Sequence, residues 1–346
     1  MACKHSTRKV RLSHKASPTL ADVAKAAGVS TATISRALNE PDKVAQNTRE
    51  RIEKVVEDLG YTPNFGGRVL ASNRSNIVGA VIPTMANAMF ASGLQVFQEV
   101  LSQSAYNLLV ASSGYNAGTE LQQIKSLVAQ GADGLLLIGS ARPDETTRFL
   151  KLRNIPYVIA WSYQHDKSRY FAGFDNTAAA ASITQAVLDK GHRNIAMIAG
   201  RADQNDRAAN RIAGVTATIA ARSGATLLMQ VETDYTLDAG GKAFEAIMND
   251  CRQTTAIICG NDVLAAGAIV RAGQLGLQIP QDVSVTGFDD IALATVVSPS
   301  LTTVRVPQLE MGRSAAELML DLLSGKRPHS RELQTEIVHR DSLIEL

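Results

Sequence analysis

The chain has 346 residues, 45% apolar and 20% charged, enough to build a large core and too long for one small domain. No apolar run is long enough to cross a membrane. The three cysteines, Cys3, Cys251 and Cys259, are odd in number and lack metal-ligand spacing. The basic N-terminus has no apolar stretch behind its charges, which argues against a secretory signal and for a reducing cytoplasm.

The net charge of +2 hides an asymmetry: residues 1–75 hold 13 Lys/Arg against 7 Asp/Glu, and the remainder holds 22 against 26. A basic head on a mildly acidic body points to a polyanion partner for the head. For residues 1–17 taken alone, a basic disordered tail with no partner is an equally open reading.

The stretch "SPTLADVAKAAGVSTATISRALNEP" predicts two short helices around a tight turn. Thr19 caps a helix over about Leu20–Ala27, with Asp22 favourable in its first turn. Leu20, Val23, Ala24 and Ala27 share one helix face, and Gly28 supplies the stop. Ser30 caps a second helix from about Thr31 to Leu38, with Ile34 and Leu38 inward and Thr31, Ala32, Ser35 and Arg36 outward. Helix, glycine turn and helix is the helix-turn-helix pattern, whose second helix enters the major groove. Spacing alone also allows an ordinary helical hairpin in a small bundle.

The wording of this segment resembles the DNA-binding head of the lactose-repressor (LacI/GalR) family. "TLADVAKAAGVSTATISRALN" fills the fixed positions of that family's T-[IL]-x-D-V-A-x-x-A-G-V-S-x-x-T-[VI]-S-R-x-L-N pattern. "VAQNTRERIEKVVEDLGYTPN" is similar to its third helix. The resemblance implies base-edge contacts for Thr31, Ala32 and Arg36. The chemistry agrees for Arg36, since a guanidinium reaches guanine O6 and N7 bidentately. Ser30, Thr33, Asn47 and Thr48 suit phosphates, which position without specifying, while Tyr61 suits the small core.

Residues 64–72, "NFGGRVLAS", fall where the family has its hinge helix. Arg68 and Leu70 match the family pattern, and Gly67 stands where Ala is usual. Each of the adjacent Gly66 and Gly67 costs a helix interior about 0.8–1 kcal/mol relative to Ala. The segment is therefore expected to fold only on DNA, with Leu70 wedging between base steps in the minor groove.

From Ile77 the pattern changes to short apolar strands, "IVGAVIP", "NLLVASS", "GLLLIG", "YVIAW", "YFAGFD", "NIAMIAG", "LLMQV", "AIICG" and "VSVTGF". Amphipathic helices lie between them, such as Ala91–Gln103, Glu120–Gln130, Thr177–Lys190 and Asp262–Ala272. This alternation predicts parallel sheets covered on both faces. The resemblance implies the same: an α/β periplasmic-binding-protein-like core of two Rossmann-like subdomains, behind an all-α head. The expected organisation is a tail over 1–18, head over 19–63, hinge over 64–75 and core over 76–346.

Ligands in such sheets lie beyond the carboxyl ends of the strands. The residues that follow strands and carry binding chemistry are Phe90, Ser140, Trp161, Asp175, Arg207, Arg211, Tyr235, Asn261 and Asp289. "DRAANRIAG", "GNDVLAAGA" and "VSVTGFDDI" resemble family motifs, and the resemblance gives Arg211 an effector contact. Polar groups of this kind suit hydroxyls, and aromatic faces suit a ring. Trp161 is as compatible with the core as with the ligand. Asp175, Asp262 and Asp290 suit helix caps or structural roles better than ligand contacts. The resemblance continues through a crossover strand, a long helix and a final strand, covering residues 19 to 342.

No dinucleotide, Walker or nucleophile-elbow motif is present, and the histidines lack metal spacing, so neither catalysis nor a cofactor nor a metal is expected. The remaining rival to a DNA-binding regulator is a sugar receptor with the same body, which a gel shift on genomic fragments separates. The expected protein is a homodimer on a palindromic operator, since two recognition helices require two-fold symmetry. With no long heptad tail, a dimer is expected over a tetramer. A sugar or sugar acid between the lobes would act as effector, as inducer or as co-repressor.

Overall fold

The structure is a computed structural model and describes residues 18–62 and 74–346. The expected tail as far as residue 17, and the expected hinge from 64 to 73 with Leu70, lie outside the described residues. The chain divides into two compact units after Ser75.

In the first unit, α1 (Leu20–Ala27) begins with a reciprocal capping box: Thr19 accepts from the Asp22 amide, and Asp22 accepts from the Thr19 amide. Gly28, at φ 63°, ends it in the left-handed conformation. Ser30 caps α2 (Thr31–Asn39), and α3 (Gln46–Leu59) closes the bundle. Val23, Ala24, Ala27, Ile34, Ala37, Ile52 and Tyr61 form its core, with Leu38 packed against them.

The second unit holds two six-stranded sheets. All nine expected strands are present: β1 (Ile77–Ile82), β2 (Asn107–Ser112), β3 (Gly134–Ile138), β4 (Tyr157–Ala160), β5 (Phe171–Gly173), β6 (Asn194–Gly200), β7 (Thr226–Thr233), β8 (Ala256–Cys259) and β9 (Ser284–Asp289). The crossover and final strands are β10 (Thr302–Arg305) and β12 (Glu336–Val338), and a short β11 (Arg331–Glu332) adds an edge. One sheet runs β11-β5-β4-β3-β1-β2 and the other β12-β10-β9-β8-β6-β7, parallel throughout except for β12. The inner strands β3, β8 and β9 are buried along their whole length, as sheets covered on both faces require.

Helices α4 (Ala88–Gln103), α5 (Ala117–Ala129), α6 (Asp144–Arg153) and α12 (Gln308–Leu323) flank the first sheet. Helices α7 (Asn176–Asp189), α8 (Asp206–Ala221), α9 (Leu237–Asp250), α10 (Asp262–Gln274) and the short α11 (Leu293–Val296) belong with the second. The chain crosses between the lobes after β5, after β10 and after β11.

Strand order fixes where a ligand fits. In the first sheet β1 lies between β2 and β3, and in the second β6 lies between β7 and β8. Crossovers diverge at those points, leaving a crevice at the strands' carboxyl ends. The loops after β1, β2, β6 and β8 meet there, and each opens a helix with a capped N-terminus. Asn87 caps α4, Asn116 caps α5, Asn205 caps α8 and Asn261 caps α10.

Candidate functional site

On the head, Thr31, Ala32 and Arg36 are exposed on one face of α2, while Ile34 is fully buried behind them. The core of the bundle therefore fixes which side of the helix faces out. The Ser30 and Thr33 hydroxyls lie 2.9 Å apart, and Ser30 Oγ also accepts from the Thr33 amide. Both are partly spent on the cap. Asn47 and Thr48 lie in the first turn of α3, where Ala45 gives no side-chain cap. Backbone N–H groups at such an end suit a phosphate oxygen.

In the core, six of the nine expected ligand residues line one compartment between the lobes: Phe90, Arg207, Arg211, Tyr235, Asn261 and Asp289. Tyr115, Asn205, Asn87 and Met89 complete it. The compartment itself is only about 10 Å³, because Tyr115 and Tyr235 meet across it with ring centroids 5.7 Å apart. Two wider cavities adjoin it, of about 340 Å³ beside Arg207 and Asp206 and about 540 Å³ beside Asn205 and Tyr235.

Arg211 is held from four sides. Its Nε donates to Asn176 Oδ1 at 2.9 Å and its Nη1 to the Gly260 carbonyl at 2.7 Å. Its Nη2 reaches Asp289 Oδ1 at 3.5 Å, and the guanidinium stacks on Phe288, 3.7 Å from the ring centroid. The charge is thereby fixed before any ligand arrives. Burial pushes the Asp289 carboxyl up to about 6, and the Arg211 charge keeps it from rising further. Asp289 also sits at φ 108°, a left-handed conformation that is strained for any residue but glycine.

Arg207 lines the same compartment and pairs with Asp206 at 3.1 Å. Burial raises the Asp206 carboxyl, but the Arg207 charge and two bonds from Ser140 outweigh it and hold the group below its usual range. Asn261 Oδ1 accepts from the Leu264 amide, which caps α10 and orients the rest of the amide. Desolvation pushes the hydroxyl of the half-buried Tyr115 well above the usual range and keeps it a neutral donor. Asp262 lies out of the compartment. Its two oxygens accept from Thr303 Oγ1 and the Ile291 amide, a structural role.

Three residues of the candidate set do not line this compartment: Ser140 is a correction, while Trp161 and Asp175 take the core and helix-cap positions that the sequence also allows them. Trp161 is 1% exposed and lies in the core behind Phe90, edge to face at 5.3 Å. Its φ of 59° turns the chain so that the indole lies against Gly93, where an added Cβ would strike the ring. Asp175 is exposed and caps α7, accepting from the Thr177 and Ala178 amides. Its neighbour Asn176 is the inward residue, between Arg211 and the Trp161 carbonyl. Ser140 is spent on Asp206, to which both its amide and its hydroxyl donate.

Tyr115, Asn205 and Asn87 escaped the sequence reading although each follows a strand, so the rule applied to the other positions would have found them. Among the described residues no group of His, Cys, Asp and Glu gathers as a metal site.

A family model described as "Bacterial regulatory proteins, lacI family" matches residues 19–64, and one for a periplasmic binding protein-like domain matches residues 184–343. The HTH-type transcriptional repressor CytR of Escherichia coli strain K12 is 32% identical over 94% of this chain and 96% of its own. A LacI-family transcriptional regulator from Silicibacter pomeroyi has a similar structure, with a TM-score of 0.87 at 26% identity over 94% of this chain and 99% of that one. The regulator CelR, solved as a complex with cellobiose, gives 0.70 at 28% identity over 94% and 99%.

Proposed function

Because the chain belongs to the lacI family of bacterial regulatory proteins, we propose that it represses transcription under the control of a small polyhydroxylated effector, a sugar or sugar acid, held between the two lobes. The head reads a palindromic operator as part of a homodimer, with Thr31, Ala32 and Arg36 at base edges and Ser30, Thr33, Asn47 and Thr48 at phosphates. The effector lies against Phe90, Tyr115 and Tyr235, with its hydroxyls on Arg207, Arg211, Asn261 and Asp289. The protein is a regulator and has no catalytic step.

One observation carries the effector reading: residues from six separate segments, at the carboxyl ends of β1, β2, β6, β7, β8 and β9, meet between the lobes, with polar ends and aromatic faces turned to the same space. That mixture suits a ring with two apolar faces and a polar rim. The cellobiose complex of CelR favours a sugar of this kind. Arg207 beside Arg211 also accommodates a carboxylate.

Thermal-shift screening of sugars, polyols and aldonates, followed by a gel shift on genomic fragments, tests both halves. A hit that stabilises the wild type but neither Arg211→Ala nor Asp289→Ala, and that changes operator retention, supports the reading. A hit indifferent to both substitutions shows that the site lies elsewhere, and absence of selective DNA retention removes the regulator.

A further inference from the structure

The two lobes are joined across the cleft by more than the crossing chains. Asp206, the first residue of α8 in the second lobe, directs Oδ2 at the turn after β3 in the first. It accepts from the Ser140 amide at 2.7 Å and from Ser140 Oγ at 2.8 Å. Its other oxygen accepts from Arg207 Nη1 at 3.1 Å. The carboxylate is 11% exposed, so these are shielded, charge-assisted bonds.

The Ser140 turn is a firm anchor. Gln164 Nε2 donates to Ser140 Oγ at 2.9 Å and Arg169 Nη1 to the Ser140 carbonyl at 3.2 Å. Arg142 folds back to the Gly139 carbonyl and pairs with Glu120 at 2.6 Å. Gly139 itself is at φ 77°, and a Cβ there would collide with Asp206 Oδ1 and Arg207 Nη1. Only glycine lets the second lobe come this close.

We infer that Asp206 is a positioning residue, a tie that holds the lobes together without an effector and in the same act steadies Arg207 at the cleft. The consequence for Arg207 rests on the effector reading of the cleft, whereas the tie does not. An asparagine shows why the carboxylate is needed. Asp206 accepts at both oxygens, and an Asn has one acceptor and one donor, so it serves Ser140 or Arg207 but not both.

A second bond between the lobes reports on the tie independently. The Ala117 amide, at the start of α5, donates to Gln204 Oε1 at 2.9 Å, and neither residue touches the Asp206 carboxylate. Peptide-resolved hydrogen exchange on the full-length protein, with no effector added, reads both places. In Asp206→Asn, exchange at Ser140 and at Ala117 is expected to rise together by about tenfold, the scale of one lost charge-assisted bond. Ser140→Ala, which keeps the amide and loses the hydroxyl, is expected to give a smaller rise at Ala117. It also carries the test should the first variant fail to fold, with the amides of β3 and β8 as the folding control.

Unchanged exchange at Ala117 in both variants overturns the tie and leaves a local turn bond. Because no ligand is used, that result does not bear on whether the cleft takes an effector.

Discussion

Arg211→Ala tests the electrostatics of the cleft most sharply. The substitution removes the bonds to Asn176 and Gly260, the stack on Phe288, and the only cation directly bonded to Asp289 among the described residues. Breaking a buried pair by deleting one partner costs about 3–5 kcal/mol. Most of that cost depends on pH. Asp289 in the folded protein titrates near 6, above its ordinary 3.8, so its ionisation already works against the fold as pH rises from 4 to 6. Without Arg211 its folded value rises further.

Near pH 5 the carboxyl is mostly protonated in wild type and variant alike, and the two differ little through this group. Near pH 8 the wild type holds it ionised against Arg211, and the variant must protonate it or bury a bare charge. At about 1.4 kcal/mol per pH unit, the loss should be larger near pH 8 than near pH 5 by about 2–3 kcal/mol. Urea titration followed by the fluorescence of Trp161, the single tryptophan of the chain, measures it. Equal losses at the two pH values refute the argument. Adding Asp289→Asn to the variant should remove the pH dependence.

Three further outcomes are expected. Arg36→Ala should weaken operator selectivity sharply, by about 1–3 kcal/mol for each lost bidentate base contact, and leave salt-dependent non-specific binding; an unchanged footprint contradicts the assignment. Gly28→Ala should lower the melting temperature of the head by circular dichroism, because φ is 63° there; with open space around the site, the cost is backbone strain of about 1–2 kcal/mol. Calorimetry with the effector found by screening should show binding that weakens as pH falls through about 6, where Asp289 loses its charge. A flat profile would remove Asp289 as the acceptor of the ligand's hydroxyls.

The fold and most of the cleft were legible because two repeating rules govern them. Apolar runs of four to eight residues separated by amphipathic stretches give parallel sheets, and parallel sheets bind at the carboxyl ends of their strands. Asn261 just past β8 and Asp289 at the end of β9 follow directly, and Arg207 and Arg211 follow from the first turns of the helix after β6. The residues that stay out of the compartment obey rules that act below or above that scale. Trp161 also follows a strand, but a left-handed backbone turns its indole under Phe90, and no periodicity encodes a single φ. Asp175 and Asn176 differ by one position, and that step decides between capping a helix outside and bracing Arg211 inside.

Ser140 reads as a ligand contact in the sequence because the residue that consumes it lies 66 positions away on the other lobe. A serine past a strand reads the same whether it faces a hydroxyl of a sugar or a carboxylate of its own chain. Pairing across a cleft depends on how closely the lobes approach. Here that approach is set by a glycine, Gly139, whose role appears only once Asp206 and Arg207 are seen beside it. The groups that line the cleft are therefore written in local sequence, and the contacts across it are written in the packing of one lobe on the other.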